Sequence, residues 1–469
     1  MYLKEFVYFC AVNEMITILR FEYENLKREN SELRIAVEQL RDEISLLKGG
    51  KNSGTSSTAP SHDIGRSNRI SLRESSGRKS GGQPGHIGST LSMSETPDET
   101  IDHYPCVCEQ CGEDLHLVES TSYTRRQLVD IPPVMPIYTE HRSHLKICPL
   151  CHFANKGLFP EGLQASVQYG SSVEATTGYL SVYQGLPYHR ISRLFKDFFR
   201  LPLSEGIVDT FLDRLSRKSK FAYQEIKERI LESKVVGSDE TGCRVKGKKH
   251  WFHVWQTPLL TYIVSFASRG HAVIEKYFPN GFIRSIYVSD CWSSQLKVKA
   301  NAHQLCMSHL LRELTNFVKN LNSEWSAQMK ELFLRAIELK NNMTEALYLN
   351  PPKEAFDLNA DLDKLLQTDY SKFHTKEQAF IKRLIKHRQS IFTFLTHPEV
   401  PPDNNGSERA IRNVKVKTKV SGQFRNADGK GADRYAKIRS VIDTTTKNGQ
   451  DVYSTLVCLA KCKIVEVPE

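Results

Sequence analysis

Between Lys234 and Asp290 the chain leaves helical period and alternates with period two. Val235-Val236-Gly237-Ser238-Asp239-Glu240-Thr241 reads as one strand, His250 to Gln256 as a second with Trp251, His253 and Trp255 on one face, and Thr261 to Ala267 as a third. A helix from His271 to Phe278 follows, then a short buried strand, Ser285-Ile286-Tyr287-Val288, ending in Ser289-Asp290. Three strands in an antiparallel meander, a crossover helix and a parallel fourth strand leave few arrangements open, because connections are short and parallel neighbours need a crossover.

That element order is the layout of a ribonuclease-H-like sheet, in which the first and fourth strands lie side by side. Asp239 in the first strand and Asp290 just past the fourth then converge at one end of the sheet. Adjacent carboxylates repel unless cations lie between them, so the fitting occupants are divalent ions bound through oxygen, Mg2+ or Mn2+. Taken singly, either aspartate would serve equally as a strand-end or helix-capping acid.

A third carboxylate is needed to hold two metals per active site, about 3.5–4 Å apart, for in-line attack on phosphate. The candidate is Glu408, in Pro401-Pro402-Asp403-Asn404-Asn405-Gly406-Ser407-Glu408-Arg409-Ala410-Ile411-Arg412. Asp403 to Ser407 supply a turn and a cap, and Glu408 falls in the first helical turn, where the helix dipole favours an anion. Arg409, Arg412, Lys415, Lys417 and Lys419 follow, placed to hold DNA phosphates beside the metals. From about 322 to 396 the period is helical, so an all-helical insertion is expected to interrupt a catalytic domain spanning 235–445. A tail helix is expected over 446–469.

Upstream, Leu19, Leu26, Leu33, Leu40 and Leu47 recur every seven residues, with Ile16, Tyr23, Asn30, Val37 and Ile44 at the companion spacing. These are the d and a series of a heptad repeat. Glu22, Glu29 and Glu43 at g face Lys27, Arg34 and Lys48 at the next e of a parallel partner. Asn30 at an a position selects a two-stranded, in-register coil, because only its twin satisfies it. The expectation is a parallel homodimeric leucine zipper over 14–48; an amphipathic helix packed on its own domain is the alternative.

Residues 49–97 turn to Ser, Gly, Asn and Pro with scattered Lys and Arg, a flexible basic linker. Residues 98–162 carry two C-x2-C knuckles, Cys108 with Cys111 and Cys148 with Cys151. Four thiolates can surround one Zn2+ and leave no open position, so this zinc-ribbon-like module calls for a structural ion. Free thiols, or substitution by Cys106, His103 or His152, are the competing readings. Alternation in Ile137 to Ile147 suggests strands between the knuckles. Residues 165–234 read as helical, with Ser204 an N-cap for a helix carrying Val208, Phe211, Leu212 and Leu215. Paired short helices there suit a helix-turn-helix, giving a helical DNA-binding segment. The fold class is therefore multidomain α/β.

Lys and Arg outnumber Asp and Glu by 64 to 54, and the excess is concentrated: Arg409 to Arg439 holds ten basic and two acidic residues. Clustered cations of this kind release counterions from phosphate. No apolar run approaches the 18 or more residues of a membrane span, and eleven cysteines are too few for a disulfide scaffold in so long a chain. A reducing, cytoplasmic setting is expected, with no membrane.

With these residues in place, the chain resembles the transposases of the insertion sequence 66 family, a bacterial DDE group. The likeness rests on the zipper, the linker ending Ser80-Gly81-Gly82-Gln83-Pro84-Gly85-His86, the two knuckles, Ser238-Asp239-Glu240-Thr241, Ser289-Asp290, Cys306 with His309 and Arg312, and Asp403-Asn404-Asn405 followed by Glu408-Arg409 and Arg412. It covers roughly residues 16–445. It implies that Asp239, Asp290 and Glu408 are the metal ligands, that Arg409, Arg412 and Lys417 contact DNA, and that His309 and Arg312 are accessory. It implies metal-dependent cleavage at element ends and transfer of the freed 3'-OH into target DNA. The partners would be double-stranded DNA, a second copy of the chain and accessory proteins of the same element, near the bacterial nucleoid. A DNA-binding regulator without activity, or a ribonuclease-H-like nuclease without strand transfer, are the alternatives. A peptide of residues 1–50 is expected to sediment as a dimer at micromolar concentration; a monomer would remove the zipper.

Overall fold

The computed structural model describes residues 23–37, 40, 85, 91–426 and 428–464. Residues 23–37 are helical (α1), and Tyr23, Leu26, Leu33 and Val37 along it are between 45% and 63% exposed. The face expected to pair with a second helix is thus open on a single chain. Ile16, Leu19, Ile44 and Leu47, and the linker apart from Gly85 and residues 91–97, lie outside the described residues.

The cysteine segment holds two small hairpins. Val107 bridges Asp114 across the first knuckle, and β1 (Leu145–Ile147) pairs antiparallel with β2 (Ala154–Lys156) across the second. Of the extended stretch expected from Ile137, only its last three residues are strand, because the partner β2 is three residues long. Leu117, Leu128, Ile137 and Leu158 are almost fully exposed, so burial contributes little to holding this segment together.

Next come α2 (Ser171–Gly178), a π-turn over Tyr179–Tyr183, α3 (Tyr188–Phe199), α4 (Glu205–Lys218) and α5 (Lys220–Leu231). Ser204 caps α4 as its sequence indicates, its hydroxyl accepting from the Ile207 N–H at 3.2 Å, and Val208, Phe211, Leu212 and Leu215 are buried.

The sheet follows. β3 (Val235–Val245), β4 (Lys248–Gln256) and β5 (Thr261–Phe266) form the meander, and α6 (Ala272–Tyr277) crosses over to β6 (Phe282–Ser289). β6 runs parallel to β3, with Gly237 opposite Val288, and β7 (Ala300–Leu305) runs parallel to β6, giving the order β5-β4-β3-β6-β7. The sequence reading ended β3 at Thr241. The strand continues to Val245 and turns through Lys246 and Gly247, both at positive φ, the two-residue hairpin that matches strand twist. β7 escaped that reading because Ala300-Asn301-Ala302-His303 is nearly featureless in hydropathy.

Beyond the sheet lie α7 (Met307–Leu321), α8 (Glu324–Asn342), α9 (Glu345–Leu349), α10 (Lys353–Leu366) and α11 (Thr375–Lys386), then α12 (Asn405–Ser421), α13 (Gly431–Lys447) and α14 (Val452–Lys461). Among the described residues, every regular element between α7 and α12 is helical.

Strand alternation divides these helices. Val236, Trp255, Tyr262, Val264 and Tyr287 point to one face and pack with Ile226 and Ile230 of α5 and Val273 and Ile274 of α6. On the other face two cores lie side by side. Phe252, Val254 and Ile263 sit beneath α12, α13 and the α2–α4 group, whereas Ile286, Val288 and Leu305 sit beneath α7 and the insertion. The boundary between these cores runs over β3 and β6.

α4 packs against α2, α3 and α13. Arg434 of α13 pairs with Asp209 at 3.2 Å and Asp213 at 2.9 Å, while Arg214 and Lys218 pair with Glu174 of α2. Residues 171–231 are therefore integrated with the C-terminal helices. Phe252, fully buried on β4, meets the rings of Phe424 and Tyr435 at 5.6 and 5.9 Å. Phe252→Ala is expected to lower unfolding free energy by about 3–5 kcal/mol in urea titration.

Candidate functional site at the seam between two cores

Asp239 lies two residues past Gly237 on β3 and so shares the face that Gly237 turns toward the start of α12; Asp290 is the residue after β6, the parallel neighbour of β3. Both are buried. Burial foremost, then the charges of Glu240 and Asp290, push the Asp239 carboxyl well above the ordinary carboxylate range, with Lys415 of α12 pulling the other way. Asp239 accepts the Glu240 N–H at 2.9 Å, and Asp290 accepts the Trp292 N–H at 3.0 Å.

Glu408 lies in the first turn of α12, and its position follows from the turn before it. The Asn404 side-chain amide donates to the Ser238 carbonyl at 2.6 Å, and its backbone N–H donates to the Cys306 sulfur at 3.2 Å. Ser407 donates to the Asn404 side-chain oxygen at 2.6 Å, and the Met307 N–H donates to the Pro402 carbonyl at 2.9 Å. One turn thereby ties β3, the start of α7 and the start of α12 together. Gly237 makes room for it: a Cβ there would lie 2.6 Å from the Ser407 hydroxyl and 2.7 Å from the Gln256 amide.

The Glu408 carboxylate rests 3.8 Å from His309 Nε2. Burial and the nearby Arg312 lower the His309 pKa to about 4 despite the Glu408 charge, so near neutral pH this contact joins a neutral imidazole to a carboxylate. Among the described residues no three His, Cys, Asp or Glu side chains stand close enough together to hold a metal ion. Asp239 lies within β3 rather than at its end, and Asp290 just past the end of β6; the donor chemistry nevertheless fits hard divalent ions, since a cation between two buried carboxyl groups stabilises both as anions.

Glu240 points to the opposite face, as strand alternation requires, and there it has partners that sequence reading missed. Arg269 donates to it at 2.7–2.8 Å and Gln295 at 2.8 Å, while Tyr287 donates to Gln295 at 2.6 Å. The Arg269 guanidinium lies 3.9 Å from the ring centre of Trp292, two residues past Asp290. This network fastens the loop bearing Asp290 to β3. The only sequence signal for it was an acid within a buried strand, which needs a cationic partner.

Arg409, Arg412, Lys415 and Lys419 are exposed on α12. Lys417 is not: it is buried, its ammonium donates to the Leu186 carbonyl at 2.8 Å, and desolvation lowers its pKa to about 8. The helical period accounts for this, since Ala410, Val414 and Lys417 share the inward stripe with Ile411.

In the cysteine segment the knuckles fold alike. Gly112 N–H donates to the Cys108 carbonyl and His152 N–H to the Cys148 carbonyl, both at 2.9 Å, with Gly112 and His152 at positive φ. Backbone N–H groups of Cys111 and Gln110 lower the Cys108 pKa, and those of Cys151 and Leu150 lower that of Cys148. Two thiols prepared for ionisation within matching turns fit zinc chemistry.

Residues 166–432 match the family described as Transposase IS66 family, more than half of the chain and all of the sheet, seam and insertion. The chain belongs to that family. The match begins ahead of α2, consistent with α2–α5 being packed into the transposase region. No curated protein matched the chain. No helix among the described residues is long and apolar enough to cross a membrane.

Since burial and the neighbouring acids oppose a charge on Asp239, Asp239→Asn is expected to raise the melting temperature of the metal-free protein, read by calorimetry in chelator. A lower melting temperature would show that the carboxylate is not under electrostatic strain.

Proposed function

We propose that this transposase cuts DNA at the ends of its element and joins the freed 3'-OH to target DNA, with Asp239, Asp290 and Glu408 as its metal-binding triad. The observation that carries the reading is the buried Asp239 on β3 with Asp290 just past the end of the parallel neighbour β6, the Asp239 carboxyl pushed upward by burial first and then by the charges of Glu240 and Asp290. The strand order β5-β4-β3-β6-β7, with the helical segment inserted before α12, supports a ribonuclease-H-like core. Divalent ions, Mg2+ or Mn2+, would supply charge neutralisation and activation of the attacking oxygen when bound there.

The chain's own residues do the rest. Asp239 and Asp290 are fixed by strand pairing and by N–H donors from Glu240 and Trp292. Glu408 is held at the head of α12 by the Asn404 turn and lies beside His309, whose imidazole is neutral near pH 7. Arg409, Arg412, Lys415 and Lys419 extend along the exposed side of α12 and orient the DNA backbone by phosphate contact. Lys417 acts as a buried anchor to the Leu186 carbonyl instead. Cys108, Cys111, Cys148 and Cys151 would hold one structural Zn2+ once the two knuckles meet, and the open face of α1 supports a homodimer that brings two element ends together.

Arg412→Ala is expected to weaken DNA binding at all sequences and reduce its salt slope by about one. Lys417→Met should leave affinity unchanged in the same titration.

Purified protein incubated with labelled element ends and Mg2+ should yield cleaved and joined products, and Asp239→Asn should abolish both while retaining DNA binding. Cleavage without joining would instead identify a nuclease, and binding without cleavage a regulator.

A further inference from the structure

A cavity of about 580 Å3 opens between the first turns of α12, the last turns of α13 and the β4–β5 turn. Gly406 and Arg409, which flank Glu408 in sequence, form its near wall, and Asp443 and Lys447 lie across from them. Its volume is that of a small-molecule pocket, far too small for a duplex.

Three features of the lining define what would fill it. The first is charge: Arg409, Arg439 and Lys447 face a single acid, Asp443, so an anionic ligand is favoured. Lys447 already donates to Gln256, Thr257 and Leu260 at 2.6–2.9 Å, and Arg439 is ion-paired with Asp443 and donates to the Val182 and Tyr183 carbonyls, which leaves Arg409 at the exposed mouth as the phosphate contact. The second is unmet hydrogen bonding. Asp443 Oδ2, Arg439 Nε and Thr261 Oγ1 belong to lining residues, are buried and have no partner in the protein. A buried acceptor beside a buried N–H donor is costly unless something pairs with both. The third is the amide wall of Gln184, Gln256 and Asn413 with the Tyr183 ring nearby. Every nucleobase edge presents a donor next to an acceptor, which suits this lining without selecting one base.

We infer that this cavity receives a single unstacked nucleotide of the DNA strand that crosses the carboxylates, its phosphate against Arg409 and its base against Asn413 and the Arg439–Asp443 pair. The inference rests on the DNA-processing reading above. It adds that the strand is held frayed beside Glu408, with the lining offsetting the loss of stacking of the extruded base. Unpairing next to the cut would free the strand to bend toward the carboxylates.

The full-length protein in chelator, bound to a duplex whose 3' overhang carries 5-iodouracil, is expected to photo-cross-link within residues 179–188, 405–413 or 439–447, located by mass spectrometry of the peptides. Asn413→Leu should weaken binding of that frayed duplex about tenfold, while a fully paired duplex binds as before and thermal unfolding is unchanged. DNA binding with cross-links only elsewhere, or equal loss for both duplexes, would overturn the cavity assignment and leave the transposase reading standing. Tighter binding of free deoxycytidine monophosphate than of the overhang would make a free nucleotide the ligand and overturn it too. Failure to bind any DNA would sink both. If the variant does not fold, the wild-type cross-link decides alone.

Discussion

Parallel pairing of β6 with β3, with Gly237 opposite Val288, is the constraint on which the site depends. It sets Asp290 next to Asp239 and buries both at the border between two helical cores. A pair of like charges in that position opposes folding unless compensated. Lys415 and the Glu240 N–H work against the burial that pushes the Asp239 carboxyl upward.

Around that pair the fold separates the seam carboxyls from the residues that position them. Asn404 reaches β3 through a carbonyl and α7 through a sulfur, so one side chain and its N–H fix the helix that bears Glu408. On the far face, Glu240, Arg269 and Gln295 hold the Asp290 loop without touching the seam. Adjacent acids on β3 thereby serve opposite faces with opposite environments: Asp239 lacks a close cation and Glu240 has one.

The N-terminal segments follow a different logic. The two knuckle hairpins bury almost none of their large apolar residues, and α1 presents its apolar face outward. Neither can owe its organisation to a core of its own. The transposase region, in contrast, is held by three cores that include its helical lead-in, α2–α5.

Period-two alternation, turn residues and the crossover spacing determined four of the five strands, the faces of Asp239 and Glu240, the helical insertion and the first-turn place of Glu408, because each is a local property of consecutive residues. Cysteine spacing determined the knuckles in the same way. Only tertiary structure decided that β7 joins the sheet, that Lys417 turns inward to Leu186 while Arg412 stays in solvent, and that Asn404, Ser407 and Cys306 form one joint. The Asn404–Cys306 and Lys417–Leu186 contacts join residues 98 and 231 apart in the chain, and hydropathy along a segment carries no record of neighbours it meets only in the fold.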